Sequence, residues 1–158
     1  MLLRQPVLCS IAAAASLAFL PIAAAAASPR SVPLKIDFSL TPAQIDASCR
    51  SEIEAAGKRV DAMLHARSAR TFKTVAEPLE NVIADLGDNL AAQTLLQQVG
   101  TDKDVRDASE RCNTALSGFF AELYARPDLY AALNAAGKSK TAHGPAQSKL
   151  LELDLTAA

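Results

Sequence analysis

An all-α fold is the expectation for this 158-residue chain, and three observations carry it. Apolar residues recur every three or four positions through several long windows, which places them on one face of a helix. Helix-start signals precede those windows: a Ser, Thr or Asp cap, with Pro, Gln or an acid just inside. No stretch alternates apolar and polar residues over the length of a strand, and only 4% of the residues are aromatic. The architecture expected is long helices in antiparallel hairpins, running up, down and up, with short helices at the C-terminal end.

Residues 1–27 read as a signal peptide. Arg4 supplies the positive start, Val7 to Ile22 an apolar core broken by Pro21, and Ala23 to Ala27 several A-x-A cleavage frames before Ser28. Pro21 and the small residues follow too soon for a span, which needs about 20 apolar residues. Contact with a membrane is therefore expected only through this leader before cleavage, and the mature chain is expected to be periplasmic or secreted. Residues 28–40 form a Pro- and Ser-containing mobile lead-in, 41–137 a helical domain, and 138–158 a loop and a truncated helix. The net charge of −1 leaves no basic surplus to neutralise phosphates, so nucleic acid is not an expected partner.

The first helix starts at Thr41, with Pro42 inside and Gln44 completing a capping box. Its stripe is Ile45, Cys49, Ile53, Ala56, Val60, Met63 and Leu64, and it ends between His65 and Ser68. Gly57 inside it costs about 1 kcal/mol unless another backbone packs there. Phe72 and Val75 lead into the second helix, which begins either with a Thr74–Glu77 box or with Pro78 in its first turn. Leu79, Val82, Ile83, Leu86, Leu90 and Leu95 continue it, and Gly100 is placed to end it. The third helix is the clearest. Thr101 caps it with Asp104 in the first turn, Val105, Ala108, Cys112, Ala115, Leu116, Phe119 and Leu123 make its stripe, and Pro127 stops it. Lys103 with Asp107, Asp107 with Arg111, and Glu122 with Arg126 are opposite charges one turn apart. A fourth helix runs from Pro127 to Gly137, and a fifth starts at Pro145 with Leu150, Leu151, Leu153 and Leu155.

Export permits disulfides, and the mature chain keeps two cysteines, Cys49 and Cys112. Both lie on apolar stripes, which suits two buried thiols. They also lie at similar depth, so parallel, adjacent first and third helices would allow a bridge.

Catalytic chemistry is not visible. His65 and His143 are the two histidines, and neither belongs to H-E-x-x-H, whose spacing puts two zinc ligands on one helix face. Asp85 with Asp88, and Asp102 with Asp104, suit a solvated face and a helix cap. Phe119, Phe120, Tyr124 and Tyr130 suit core and interface. No catalytic, cofactor-binding or metal-ligating residue is assigned, and no cofactor is expected in this chain.

One resemblance gives this silence a meaning. Lys103-Asp104-Val105-Arg106-Asp107-Ala108-Ser109, followed by Leu116-x-x-Phe119 and Arg126-Pro127-Asp128-Leu129-Tyr130, resembles the N-terminal region of the thimet oligopeptidase, neurolysin and oligopeptidase A family of zinc metallopeptidases. Leu40-Thr41-Pro42-x-Gln44-Ile45 and Phe72-x-x-Val75-x-x-Pro78-Leu79-Glu80 agree upstream in the same order. The resemblance implies an all-helical channel wall that restricts access to short peptides. Zinc in the full-length relatives is held by H-E-x-x-H and a later Glu, which this sequence lacks. The chain is thus expected to be the inactive N-terminal portion of an exported oligopeptidase, meeting short peptides only when joined to a catalytic domain that it does not itself contain. The alternative is a stand-alone periplasmic helical module that binds a peptide or protein.

Overall fold

A computed structural model describes residues 37–139 and 144–158. The expected leader, most of the expected lead-in and His143 lie outside the described residues. Five α-helices follow in order: α1 (Pro42–His65), α2 (Ala76–Val99), α3 (Lys103–Tyr124), α4 (Pro127–Gly137) and α5 (Pro145–Ala157), with a 3-10 turn at Phe72–Thr74 before α2. Among the described residues there is no strand.

Cross-links between helices establish their directions. From α1 to α2, Arg59 pairs with Asp85 at 2.8 Å, Glu52 accepts from Asn89 at 2.8 Å, and Ser48 accepts from Gln93 at 2.9 Å. One number falls as the other rises, so α1 and α2 are antiparallel. Between α1 and α3, Asp46 pairs with Arg111 at 2.7 Å, Cys49 is bonded to Cys112, and Gly57 lies beside Phe119, while Asp61 pairs at 2.6 Å with Arg126, just past the end of α3. Both numbers rise together, so α1 and α3 are parallel. The up-down-up order follows. Between the three lie Ile45, Val60, Leu79, Leu86, Leu90 and Leu96, each less than 2% or about 2% exposed, and α4 adds Leu129 and Leu133 at 0%.

The start of α1 is as the sequence predicts. Gln44 N–H donates to Thr41 Oγ1 at 3.3 Å, and Thr41 N–H donates back to Gln44 Oε1 at 2.8 Å. Leu40, at the end of the lead-in, already packs against the core.

Two other starts are corrected. The second helix begins at Ala76, with neither a Thr74–Glu77 box nor Pro78 in its first position. Thr74 instead accepts from Thr71 N–H at 3.0 Å within the 3-10 turn, and Val75 N–H donates to Thr71 O at 3.0 Å. Burial decides this, because Val75 and Ala76 are both 0% exposed and the turn must point them inward before the helix begins. Pro78 becomes the third helical residue, still among the first four whose N–H has no helical partner, so its missing donor costs nothing. The third helix is capped by Asp102, not Thr101. Asp102 Oδ1 accepts from Asp104 N–H at 2.7 Å and from Val105 N–H at 3.4 Å. A carboxylate adds charge to the hydrogen bond at the positive helix end. Arg106 also donates to the carbonyls of Gly100 and Thr101, both at 2.9 Å, which keeps Thr101 outside the helix.

Gly100 ends α2 but not through a left-handed turn, since its φ is −62°. Its glycine character has a steric cause: a Cβ there would stand 2.6 Å from Leu96 O.

Ion pairing along α3 follows the sequence in one case and departs from it in two. Lys103 meets Asp107 at 2.5 Å, and the ammonium holds the Asp107 carboxyl below its usual range. Arg111, however, crosses to Asp46 with Nε at 3.3 Å and Nη2 at 2.7 Å. Arg126 takes Asp61 of α1 and Asp128 of α4 in place of Glu122. A planar guanidinium gains from acids that accept on more than one edge, and the neighbouring helices supply them.

The inner face of α3 includes Ser109, which the apolar stripe omits. Ser109 is 0% exposed, and its hydroxyl has no partner among the described residues. Replacing it by alanine removes an unsatisfied buried group and improves helix propensity. Ser109→Ala is therefore expected to raise stability by about 1 kcal/mol in urea titration.

Candidate functional site

A groove runs between α1 and α3 on the described surface. Its first part, of about 480 Å³, is lined by residues of these two helices alone, with Cys49, Ile53, Cys112 and Ala115 as its apolar lining and Arg50, Glu54, Asp46 and Arg111 around them. Further along, Gly57, Val60, Phe119, Glu122, Leu123 and Arg126 surround a second hollow of about 360 Å³.

The groove owes its lining to the parallel run of α1 and α3. It brings Cys49 and Cys112 together as a disulfide, with a Cα–Cα separation of 5.7 Å and exposures of 4% and 1%. Of the two states that the sequence leaves open for these cysteines, buried thiols or a bridge, the structure has the bridge.

Phe119 and Ala115 were expected on the covered stripe of α3. Ala115 is exposed, and Leu116 and Phe119 are half-buried, because the inward face is centred on Ala108, Ser109, Cys112 and Leu123. Phe119 instead walls the groove, set edge-on to Phe120 with ring centroids 5.6 Å apart. It also faces Gly57, where no backbone packs. A Cβ at Gly57 would lie 3.9 Å from Phe119 Cε2, an ordinary contact. Gly57→Ala is expected to stabilise the chain by about 1 kcal/mol, measured by thermal unfolding, since helix propensity improves without a clash.

A second feature was missed by sequence reading. Asp154 of α5 is only 4% exposed, and its Oδ2 has no hydrogen-bond partner among the described residues. Burial, with the carboxylate of Glu80 beside it, pushes Asp154 up to about 7. Burial and these two acids also raise the Tyr124 phenol. The signal was present in the spacing: Asp154 follows Leu151 by three residues, so the two share a helix face. Reading the fifth segment as a run of leucines hid it, since Leu153 is 55% exposed.

The remaining polar candidates are accounted for locally. His65 Nδ1 lies 2.7 Å from Asp61 O at the end of α1. Asp85 pairs with Arg59, Asp102 caps α3, and Asp104 lies in its first turn. Among the described residues no group of three His, Cys, Asp or Glu could hold a metal ion, and no helix is long and apolar enough to cross a membrane. Comparison with protein-family models and with curated proteins matched nothing to this chain.

Proposed function

We propose that this chain is the non-catalytic, channel-wall portion of an exported zinc oligopeptidase, a helical bundle that docks on a catalytic domain and limits access to short peptides. The observation that carries this reading is where the resembling segments fall. In order, they supply the residues that build the bundle. Thr41 and Gln44 start α1, Val75 and Leu79 are core residues at 0% exposure, and Asp104 opens α3. Leu129 is another core residue at 0%, and Arg126, between α3 and α4, pairs with Asp61 of α1 and Asp128 of α4.

Among the described residues no group of His, Cys, Asp and Glu is placed to hold zinc. Cys49 and Cys112 are consumed by the disulfide, and His65 is engaged with the Asp61 carbonyl. In this reading the metal chemistry belongs to the catalytic domain and the bundle acts by position.

The groove supports a second reading, a self-contained exported module that binds a peptide or protein segment. Its apolar wall at Ile53 and Phe119 lies open beside a bundle whose core is already filled. Reading the DNA beyond the codon for Ala158 in all three frames separates the two. An encoded H-E-x-x-H helix supports the wall; its absence behind a clean stop favours the module. Chelator-sensitive cleavage of a short peptide by the purified chain would overturn both.

A further inference from the structure

The packing face of α5 carries an acid where an apolar residue is expected. Leu151 and Asp154 are both buried there, at 3% and 4% exposure. The groups that face Asp154 bring no compensating cation. From α2 comes the carboxylate of Glu80, and from α3 the phenol of Tyr124. The buried residues of α4 are Leu129, Ala132, Leu133 and Ala136, all apolar. Charged groups elsewhere on these elements are engaged or exposed: Asp128 is held by Arg126, Lys149 pairs with Glu152 at 3.0 Å, and Lys73 and Lys138 face solvent.

An ionised Asp154 would sit buried against a second carboxylate with one oxygen unpartnered, which both desolvation and like-charge repulsion oppose. A protonated Asp154 removes the repulsion and offers a hydrogen-bond donor toward the Glu80 carboxylate. We propose that α5 is a proton-operated latch, docked on α2 and α4 while Asp154 carries its proton and released when Asp154 ionises. This does not depend on the peptidase reading.

The direction follows from the titration. Asp154 titrates near 7 when docked, above the value of about 3.9 for a free aspartate. The docked state therefore binds the proton more tightly. Its advantage is complete below about pH 4 and falls about tenfold per pH unit as pH rises from there. Above about pH 7 nothing further is lost. Release uncovers Leu151 and the apolar face of α4 against which α5 packs.

Amide hydrogen exchange on the full chain, with each rate divided by its intrinsic rate at that pH, tests the latch. Protection across residues 147–157 is expected to fall more than tenfold from pH 5 to pH 8, while Leu86 to Leu96 of α2 keeps its protection. In Asp154→Asn, neutral at both pH values, α5 is expected to stay protected. Glu80→Gln, which removes the repelling charge but not the burial, is expected to shrink the pH effect, and it carries the test if the asparagine variant does not fold. Equal wild-type protection at both pH values would overturn the proposal. So would the same loss in Asp154→Asn, or a loss shared by α2.

Discussion

Reducing the Cys49–Cys112 bridge is expected to destabilise the bundle by about 4 kcal/mol, the chain-entropy value for a loop of this length. The cysteines are separated by 63 positions, a span that includes most of α1, all of α2 and the first turns of α3. Opening the bridge frees that loop in the unfolded chain, while the folded bundle retains its core. Two buried sulfurs remain in place after reduction, so loss of packing adds little. Urea titration with and without reductant measures the effect, and a Cys49→Ala/Cys112→Ala double variant should shift in the same direction under both conditions. Superimposable curves for oxidised and reduced protein would show that the bridge contributes nothing. A destabilisation of this size is a large part of the 5–15 kcal/mol typical of a whole domain. A bridge of this kind persists where thiols are not kept reduced.

Leu79→Ala is expected to cost between about 2 and 5 kcal/mol, the range for truncating a buried leucine. Leu79 is 0% exposed in the first turns of α2, and its N–H donates to Val75 O at 3.1 Å, so the side chain sits where the 3-10 turn hands over to the helix. Pro78 stiffens the same turn, which limits how far the backbone can relax into the cavity. The exposed Leu153 supplies the control: Leu153→Ala should change stability by no more than about 0.5 kcal/mol. Calorimetry on the two variants checks both. If Leu79→Ala proved as mild as Leu153→Ala, the core position of α2 would be wrong.

The strengths and failures of sequence reading divide by range. The Thr41–Gln44 box was legible because both partners lie within one turn and need nothing else. The starts of α2 and α3 were not, because each offered two competing local solutions. Burial of Val75 and Ala76 chose one, and the reach of Arg106 to the Gly100 and Thr101 carbonyls chose the other. The same holds for the groove. Ile53, Gly57 and Phe119 were all noticed, but as stripe residues; only the parallel placement of α1 beside α3 makes them the walls of a concavity.

From the sequence alone came the all-helical class, the order of the five helices, their approximate extents and the candidacy of Cys49 with Cys112. Periodicity and caps depend on residues within a turn or two of each other, so they survive without knowledge of the fold. Tertiary structure decided which charges Arg111 and Arg126 would meet, that the two cysteines are joined, and that Asp154 is buried beside Glu80. Each of these depends on a partner from another helix, mostly more than sixty residues away, and on the water that its approach excludes. A sequence names the groups able to pair; distance and burial, which only the packed chain possesses, select among them.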